Sequence, residues 1–295
     1  MAAIYYGATT FSLPFTAEEK QLLMTTRLPR VLASFLTGAM LGSGGVVLRK
    51  YTQNDLADPG LLGVASGSQL LLVLLLAFYP KASYMWQQAI ATLGSALLLA
   101  LLFIVQKKVN QPLRFLLFGV ALSALMTSVT SLLASKYHLY QYLTQWSAGG
   151  LQLVTWKHVF LLSFAFLIGL FFLIKVTPSL QLYETNPELS FLLGVNQATL
   201  HLQVIIVLAL FIGVATSVVG NLFFFGIMIV LFVKGMKVDG EKEGYVAIFI
   251  GGGMMMLADL IARTWAAPAE TSLFAVIALL ASLVFFYFVR QKVNG

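Results

Sequence analysis

Residues 27–67 read RLPRVLASFLTGAMLGSGGVVLRKYTQNDLADPGLLGVASG, a long apolar run that breaks at a short polar segment and then resumes. An apolar run of about 20 residues is long enough to cross the hydrocarbon core of a bilayer as a helix. In lipid, every backbone polar group has to be paired within a helix or a closed barrel, and this run is continuous rather than alternating. The stretch therefore predicts one membrane-spanning helix, a break, and the start of a second helix.

The same pattern extends over the whole chain. Of the 295 residues, 59% are hydrophobic and 10% are charged, whereas a soluble domain carries about 25% charged residues. The predicted fold class is therefore all-α, a polytopic membrane helical bundle with about nine transmembrane helices. The predicted segments are 28–48, 62–79, 84–105, 115–134, 157–176, 201–219, 221–234, 245–265 and 272–290. The seventh segment is short for a span, so we expect it to be tilted or partly buried in protein.

Lysine and arginine predict the orientation of the bundle. If the N-terminus is outside, eleven of the 18 basic residues fall in inside segments and seven in outside segments, and cytoplasmic loops are enriched in these residues. This distribution favours an N-out, C-in topology. The net charge of +7 is assigned to orientation rather than to nucleic-acid binding, because the chain has no basic tail and no basic patch interleaved with aromatic residues.

Several classes of chemistry lack the residues that they need. Without cysteine, the chain has no disulfide, thiolate metal site or thiol nucleophile. No segment fits the phosphate-binding loop G-x-x-x-x-G-K-[ST], and the three histidines are too scattered to predict a metal site: His138, His158 and His201. Asp259 is the one acidic residue well inside a span, whereas aspartyl catalysis needs two carboxylates. The sequence therefore predicts a chain that is not an enzyme.

Small residues form one face of the first predicted span. Gly38, Gly42 and Gly45 lie at positions i, i+4 and i+7, and small residues at this spacing let membrane helices approach closely. Two interpretations are open. The face packs tightly against another helix of the same chain, or it lines a translocation path or a dimer interface.

The break after this span combines residues that oppose a helix. Pro59 cannot donate a backbone hydrogen bond, and Asp58 before it is displaced from the helical region. Asn54 favours a turn, and Gly63 and Gly67 permit close packing as the second helix starts. The break is either an ordinary turn or a functional element, because non-helical backbone at membrane depth is tolerated only where it is buried in protein or lines a watery cavity.

One helix carries charge near its outer end. Asp259 and Arg263 are four residues apart, so we expect them to pair on one helix face. Ionisable groups within spans are functional by default. The alternative is a snorkelling arginine with a local partner.

The longest segment assigned to the inside is 177–201. Asn186 before Pro187 predicts a helix start, and Gly194 predicts a turn after a short amphipathic helix. This helix is either a docking element for a soluble partner or part of a passive loop.

Together these residues resemble a known family. Residues 27–67 are closely similar to the FecCD-type permeases, the membrane subunits of ABC importers for iron-siderophore complexes, haem and vitamin B12. The family pattern is R-L-P-R, a helix rich in small residues, and then N-P-L-A-[DE]-P-G-[LI]-L-G-V-x-x-G. Further similar segments are FLLFGVALSALM (115–126), WSAGG (146–150), LGVNQ (193–197) and ADLIARTWAAPAE (258–270). On this resemblance, residues 27–295 form the permease domain and residues 1–26 an N-terminal segment on the extracellular side.

The resemblance implies a multi-pass importer subunit of the bacterial cytoplasmic (inner) membrane. A substrate-binding lipoprotein or periplasmic protein delivers an iron chelate (siderophore or haem) or cobalamin, two permease subunits form the pathway, and separate ABC ATPase subunits drive transport. No cofactor is expected on this chain, because ATP and Mg bind the partner ATPase subunits. The remaining expected partner is the lipid bilayer, with no nucleic acid.

The resemblance also implies roles for individual residues. The cations that match those facing carboxylates of the binding protein are Arg27, Arg30 and Arg263. The positions that match the cytoplasmic gate are Asn54 and Leu56, with a second gate position at Pro112 and Leu113. The segment that matches the ATPase-coupling region contains Glu188, Leu193, Gly194, Val195 and Asn196. Asp259 is predicted to be a polar residue within the membrane.

The chain departs from the family pattern in several places. The family usually has ten spans, and here the first is expected to be missing, or the start to be truncated or misassigned. Asp55 replaces the proline of N-P-L, and Val230, Leu231 and Lys234 stand where a later motif has Pro, His and Arg. Because the second half departs more than the first, we expect a heterodimer with a second permease rather than a homodimer.

Two other functions stay open on the sequence. One is an ion-coupled secondary transporter that uses Asp259 as its proton site. The other is a transport-inactive structural partner subunit.

Overall fold

The computed structural model describes residues 17–55, 57–58, 60, 63–106, 112–267 and 269–294. Within these ranges the chain forms helices joined by turns. The α-helices are α1 (Ala17–Leu22), α2 (Leu28–Thr52), α3 (Val64–Phe78), α4 (Tyr84–Gln106), α5 (Pro112–Lys136), α6 (Tyr140–Ser147), α7 (Trp156–Thr185), α8 (Pro187–Leu192), α9 (Gln197–Leu208), α10 (Val214–Val219), α11 (Phe225–Gly235), α12 (Glu243–Thr264) and α13 (Leu273–Asn294). A π-helical turn joins α1 to α2 and another joins α9 to α10, and a 3₁₀ turn precedes α12: Leu23–Arg27, Ala209–Gly213 and Gly240–Lys242.

The predicted all-α membrane bundle is confirmed, and each of the nine predicted segments corresponds to a helix. Six helical segments of the described chain are long and apolar enough to cross a membrane: Lys20–Thr52, Tyr84–Leu102, Leu117–Lys136, Trp156–Thr185, Gln197–Val219 and Gly240–Thr264. Three more apolar helices are shorter: Val64–Phe78, Phe225–Gly235 and Leu273–Phe288. At a rise of 1.5 Å per residue, the 11 residues of α11 extend only about 16 Å. Most of them are buried, as expected for a short span enclosed by protein.

The first helix is longer than the sequence predicts. Its described part begins at Ala17, well before residue 28, and continues through a π-helical turn into α2. Pro29 lies just after this turn, where it removes one helical hydrogen bond and crowds the turn before it. The wider π turn accommodates the proline, so the helix continues instead of ending. The part of the predicted 1–26 segment that lies next to the first span, from Ala17 onward, is therefore helical.

The glycine face of α2 packs within the chain, which is the first of its two interpretations. A Cβ on Gly38 would overlap the carbonyl oxygen of Gly251 in α12, and one on Gly42 would lie 3.3 Å from the Gly251 Cα. A Cβ on Gly45 would lie 3.0 Å from the Cα of Gly226 in α11. Because the neighbours are backbone atoms, only glycine permits this helix spacing. The helix α2 therefore lies directly against both α11 and α12.

The glycines at the start of α3 serve the same purpose. Gly63 has a φ of +75° and lies against the Ser123 side chain of α5, while the backbones of Gly67 and Gly94 touch where α3 meets α4. The predicted close packing at these positions is confirmed. It fixes the end of the α2–α3 loop between α4 and α5.

Candidate functional site

The loop between α2 and α3 stays close to the end of α2. Gln53 adopts a left-handed φ of 51°, the Asn54 N–H donates to the Arg49 carbonyl oxygen (3.3 Å), and the Ala57 N–H donates to the Asn54 carbonyl oxygen (3.1 Å). These turns hold Asn54, a predicted gate residue, at the end of the bundle where α2 finishes. We call this the inner end. Leu56, the neighbouring predicted gate residue, lies outside the described residues.

Asp58 attaches this loop to the start of α11. Its carboxylate is 1% exposed and accepts hydrogen bonds from the N–H groups of Phe224 (3.2 Å) and Ile227 (3.3 Å), in addition to that of Gly60 (2.9 Å). The first N–H groups of a helix have no partner within it, and the helix N-terminus carries a partial positive charge. Asp58 therefore caps α11. Asp58, which the sequence places outside the helical region because it precedes Pro59, is thus an anchor for the loop.

Asp55 attaches the same loop to the last turn of α11. Its carboxylate lies 2.5 Å from the Lys234 ammonium group, so two departures from the family pattern meet in the structure. Both side chains are partly exposed, and an exposed pair of this kind contributes less than about 1 kcal/mol. With Asp58 on the first turn, the loop runs along α11, and Ala57 and Asp58 are buried in protein.

A cluster of buried charges joins three helices at the inner end. Arg49 contacts Glu184 at 2.9 Å and Glu243 at 2.6 Å, and Lys50 contacts the same two carboxylates at 3.1 and 3.2 Å. The basic side chains are only 5% exposed, and a buried charge is tolerated only when it is paired. The cluster therefore ties the end of α2 to the end of α7 and the start of α12.

The second predicted gate position is not brought to this loop by any described contact. Pro112 and Leu113 form the first turn of α5, and the placement of their side chains lies outside the described part of the structure. Their gate role stays a prediction.

The predicted short helix is present as α8, also at the inner end. The Asn186 side chain caps it by accepting hydrogen bonds from the N–H groups of Glu188 (2.9 Å) and Leu189 (3.1 Å), and Gly194 turns the chain at a φ of +87°. Four apolar side chains here are 47–78% exposed: Leu189, Phe191, Leu192 and Leu193. An exposed apolar patch of this kind marks an interaction surface.

The predicted coupling residues lie on and directly after α8. The Val195 N–H donates to the Ser190 carbonyl oxygen at 3.0 Å, and the Asn196 side chain caps α9 through the Thr199 N–H at 3.2 Å. A groove of about 450 Å³ is lined by Glu188, Phe191, Leu192 and Gln197. The segment thus contains a capped helix and a groove, and its role in ATPase coupling stays a prediction.

A second charged cluster lies at the opposite, outer end. The predicted pair is confirmed, with Arg263 Nε 3.2 Å from Asp259. Arg30 of α2 also contacts Asp259 at 2.8 Å and reaches Glu270, after α12, at 2.8 Å. Asp259 is 2% exposed and Arg263 is 7% exposed. Arg27 lies one turn before Arg30, and the docking role predicted for these three arginines stays a prediction.

The two clusters agree with the predicted alternation of spans. The inner cluster brings together Arg49, Glu184 and Glu243, and the topology places all three on one side of the membrane. The outer cluster brings together Arg30 and Glu270, which the topology places on the other side. The path of the chain through the nine segments is thereby supported.

A family model settles the classification of this architecture. The FecCD transport family matches residues 2–291. The chain belongs to this family. As a FecCD member it is a multi-pass membrane permease of the class that serves ABC importers for iron chelates, haem or vitamin B12.

Individual relatives cover most of the FecCD chain. The iron(3+)-hydroxamate import permease FhuB of Bacillus subtilis (strain 168) is 29% identical over 95% of this chain and 74% of its own length. The vitamin B12 import permease BtuC of Yersinia pseudotuberculosis serotype O:1b (strain IP 31758) is 30% identical over 92% of this chain and 83% of its own. A solved ABC transporter described as of the metal-chelate type, in an inward-facing conformation, superimposes with a TM-score of 0.87 at 25% identity, covering 98% of this chain and 94% of that one.

Several residues that build these clusters were not predicted from the FecCD sequence. Glu184 and Glu243 lie 135 and 194 residues from Arg49, and no local spacing connects positions so far apart. Two features of the sequence did point to residues of these clusters. The family pattern requires an acidic residue where Asp58 stands, and the segment ADLIARTWAAPAE ends at Glu270.

Glu270 predicts a pH dependence of stability at the outer end. Burial disfavours its charged form, but the hydrogen bonds and the charge of Arg30 outweigh burial and hold the pKa of Glu270 below its ordinary value of 4.5. A carboxyl with a lowered pKa stabilises the fold above its unfolded pKa, and this contribution is lost as the pH falls through the folded pKa. Between about pH 5 and about pH 3, we expect the melting temperature of the wild type to fall more steeply than that of Glu270→Gln.

This pH comparison needs a control variant at a carboxyl group outside the outer charged cluster. Glu241→Gln, at an exposed position in the 3₁₀ turn before α12, is expected to follow the wild-type curve. A Glu270→Gln curve parallel to that of the wild type would show that the Arg30–Glu270 pair does not stabilise the fold.

Proposed function

We propose that this chain is a permease subunit of an ABC importer that moves an iron chelate, either a siderophore complex or haem, or cobalamin into the cell. Separate ATPase subunits bind ATP and Mg²⁺, and a substrate-binding lipoprotein or periplasmic protein delivers the cargo. A second permease subunit completes the pathway in the bacterial cytoplasmic membrane. The names of the relatives, which specify iron-hydroxamate and vitamin B12 import, support this cargo class.

The apolar surface of α8 is the observation that carries this proposal. Leu192 is 78% exposed and Phe191 is 65% exposed, at the end of the bundle where the topology places the cytoplasm. Apolar surface in this position favours coverage by a protein partner. An ATPase subunit seated on α8 accounts for the surface, whereas a secondary transporter requires no such partner.

The contacts of Asp259 give little support to the alternative function, an ion-coupled secondary transporter. A proton site has to lose its charge during transport, and Asp259 is held by Arg30 and Arg263 at 2.8 and 3.2 Å. A transport cycle that neutralised this carboxylate would break both ion pairs, including the one with the buried Arg263, and breaking a buried ion pair is strongly unfavourable.

Reconstitution tests the proposal. The chain is purified in complex with the ATPase and second permease subunits of its importer, placed in proteoliposomes, and supplied with the substrate-binding protein of the same importer. We expect uptake of at least one of radiolabelled ferrichrome, ferric citrate, haemin or cyanocobalamin, dependent on ATP and blocked by vanadate. Uptake driven by a pH gradient without ATP would overturn the proposal, and so would a failure of all four compounds.

Replacing Leu192 with aspartate is expected to weaken ATPase binding about tenfold or more. A buried leucine side chain contributes about 1.5–3 kcal/mol, and every 1.4 kcal/mol is about tenfold in affinity. Co-purification and titration of the ATPase subunits measure the loss. Leu153→Asp is the matched control, because Leu153 is 84% exposed but lies in the outer connection between α6 and α7. Equal losses in both variants would contradict the docking role of α8.

A further inference from the structure

The helices on either side of α8 both contact one side chain of α2. The ring of Tyr51 stacks on Tyr183 of α7, with centroids 5.6 Å apart and an angle of 13° between the planes. Its hydroxyl is hydrogen-bonded to Nδ1 of His201 in α9 at 2.5 Å, and the two rings meet edge-on at 5.3 Å. Tyr51 is 1% exposed. A side chain of α2 is thus enclosed between the helices that α8 connects.

The helix α8 is attached firmly to both of these helices. Asn186 ends α7 and at the same time caps α8. On the other side, the Val195 N–H donates to the Ser190 carbonyl oxygen at 3.0 Å, and only residues 193–196 separate α8 from α9. A force applied to α8 therefore acts on the end of α7 and on the start of α9.

The predicted gate follows Tyr51 directly in the chain. Gln53, two residues later, donates hydrogen bonds from its side-chain amide to the carbonyl oxygens of Tyr183 (3.1 Å) and Glu184 (3.3 Å) in α7. Asn54 comes next. The end of α7 therefore contacts both the ring before the loop and the first residue of the loop, and a shift of α7 or α9 relative to α2 acts on the backbone that carries Asn54.

We propose that Tyr51 is the positioning residue through which a displacement of α8 reaches Gln53 and the predicted gate residue Asn54. The inference rests on the proposed function, because an ATPase subunit has to act on α8. The ring and the hydroxyl contribute differently. The ring fills the space between α2 and α7, and the hydroxyl fixes α9 relative to α2. If Tyr51 served packing alone, phenylalanine would replace it without consequence.

A single thiol in the gate loop gives a direct readout, since the natural chain has no cysteine. Asn54→Cys is introduced, and the complex with its ATPase subunits is labelled with a maleimide in lipid nanodiscs. The labelling rate is measured without nucleotide and after trapping with ATP and vanadate. The readout is the ratio of the faster of these two labelling rates to the slower. We expect Tyr51→Phe to reduce this ratio by about fivefold, the effect of removing one net hydrogen bond. A residue that only supports the fold would change both rates alike and leave their ratio unchanged.

Two further variants make the test specific. His201→Phe removes the same hydrogen bond from α9 and is expected to reduce the ratio equally, and the double variant no further, because two residues of one contact are not additive. If Tyr51→Phe fails to fold, His201→Phe provides the same test. Tyr142→Phe is the control, because it removes a tyrosine hydroxyl that is bonded to Gln87 at 2.9 Å at the outer end, and it is expected to leave the ratio unchanged.

The outcomes separate this inference from the proposed function. ATP-dependent uptake in the proteoliposome assay, together with an unchanged labelling ratio in Tyr51→Phe and His201→Phe, overturns the role of Tyr51 alone. A wild-type complex without ATP-dependent uptake overturns the proposed function and this role with it. A reduced ratio in both variants, with uptake lowered to match, supports the role of Tyr51.

Discussion

Replacing Gly251 with alanine is expected to lower the free energy of unfolding by about 3 kcal/mol, the upper part of the usual range for overpacking a core. The added Cβ would overlap the carbonyl oxygen of Gly38 in α2. Since the obstructing atom belongs to the backbone, no side-chain rotation relieves the overlap, and α2 and α12 have to separate. Denaturant titration of the purified protein in bicelles measures the change.

Gly253 provides the matched control on the same helix. It lies two residues further along α12, and a Cβ there would meet no atom of a described neighbouring element within 4 Å. Alanine favours a helix over glycine by up to about 1 kcal/mol, so Gly253→Ala is expected to leave stability unchanged or to raise it slightly. A loss equal to that of Gly251→Ala would mean that the cost comes from α12 itself and not from its contact with α2.

The contact between Gly38 and Gly251 matters for transport because α2 and α12 are joined at both ends as well. Arg49 contacts Glu243 at the inner end, and Arg30 contacts Asp259 at the outer end. Glycine packing in the middle aligns the two helices closely enough for both ion pairs to form. We therefore expect the two helices to move as one unit, which links the outer surface predicted for docking to the predicted gate residue Asn54 at the inner end.

The fold was predictable from the sequence because the lipid environment imposes a simple rule on composition. Apolar length identified all nine segments, and of the two expectations for the short segment 221–234, tilt or partial burial in protein, the structure shows the burial. The start of the first helix was not predictable in this way. Residues from Ala17 to Arg27 include several polar side chains, and a hydropathy pattern does not detect a helix that extends beyond the hydrocarbon core.

The candidate site was predictable only where its contacts are local. Asp259 and Arg263 are one helical turn apart, so their pairing followed from spacing. Arg30 lies 229 residues from Asp259, and Asp58 lies 166 residues from the N–H of Phe224 that it caps. Such contacts depend on how the helices pack. The turn-forming residues from Asn54 to Pro59 predicted a break between two helices, but nothing in the local sequence indicated what the Asp58 carboxylate binds.

Replacing Asp259 with leucine is expected to destabilise the protein by about 3–5 kcal/mol, the cost of removing one partner from a buried ion pair. Arg30 and Arg263, whose side chains are 12% and 7% exposed, would lose their shared carboxylate. The cluster contains two guanidinium groups and two carboxylates, with Glu270 as the second carboxylate, so the single change leaves an unbalanced positive charge.

A second change restores that balance. Asp259→Leu combined with Arg263→Leu removes one charge of each sign and keeps the Arg30–Glu270 pair. Because apolar residues that replace a buried ion pair are often neutral for stability, we expect the double variant to recover at least about 1 kcal/mol relative to Asp259→Leu. Asp239→Asn, which breaks the exposed pair with Lys242, is expected to have no measurable effect. A double variant less stable than Asp259→Leu would contradict the charge-balance argument.

Asp259→Asn separates the two classes of transporter with the same residue. If Asp259 were the proton site of a secondary transporter, the variant would lose all uptake driven by a pH gradient, and adding ATP would not produce uptake. If the carboxylate instead holds two arginines in an ATP-driven importer, the folded variant retains uptake that requires ATP and is blocked by vanadate. The rate of this uptake is reduced in proportion to the lower stability of the variant. We expect the second result, because the ion pairs of Asp259 with Arg30 and Arg263 fix α2 against α12.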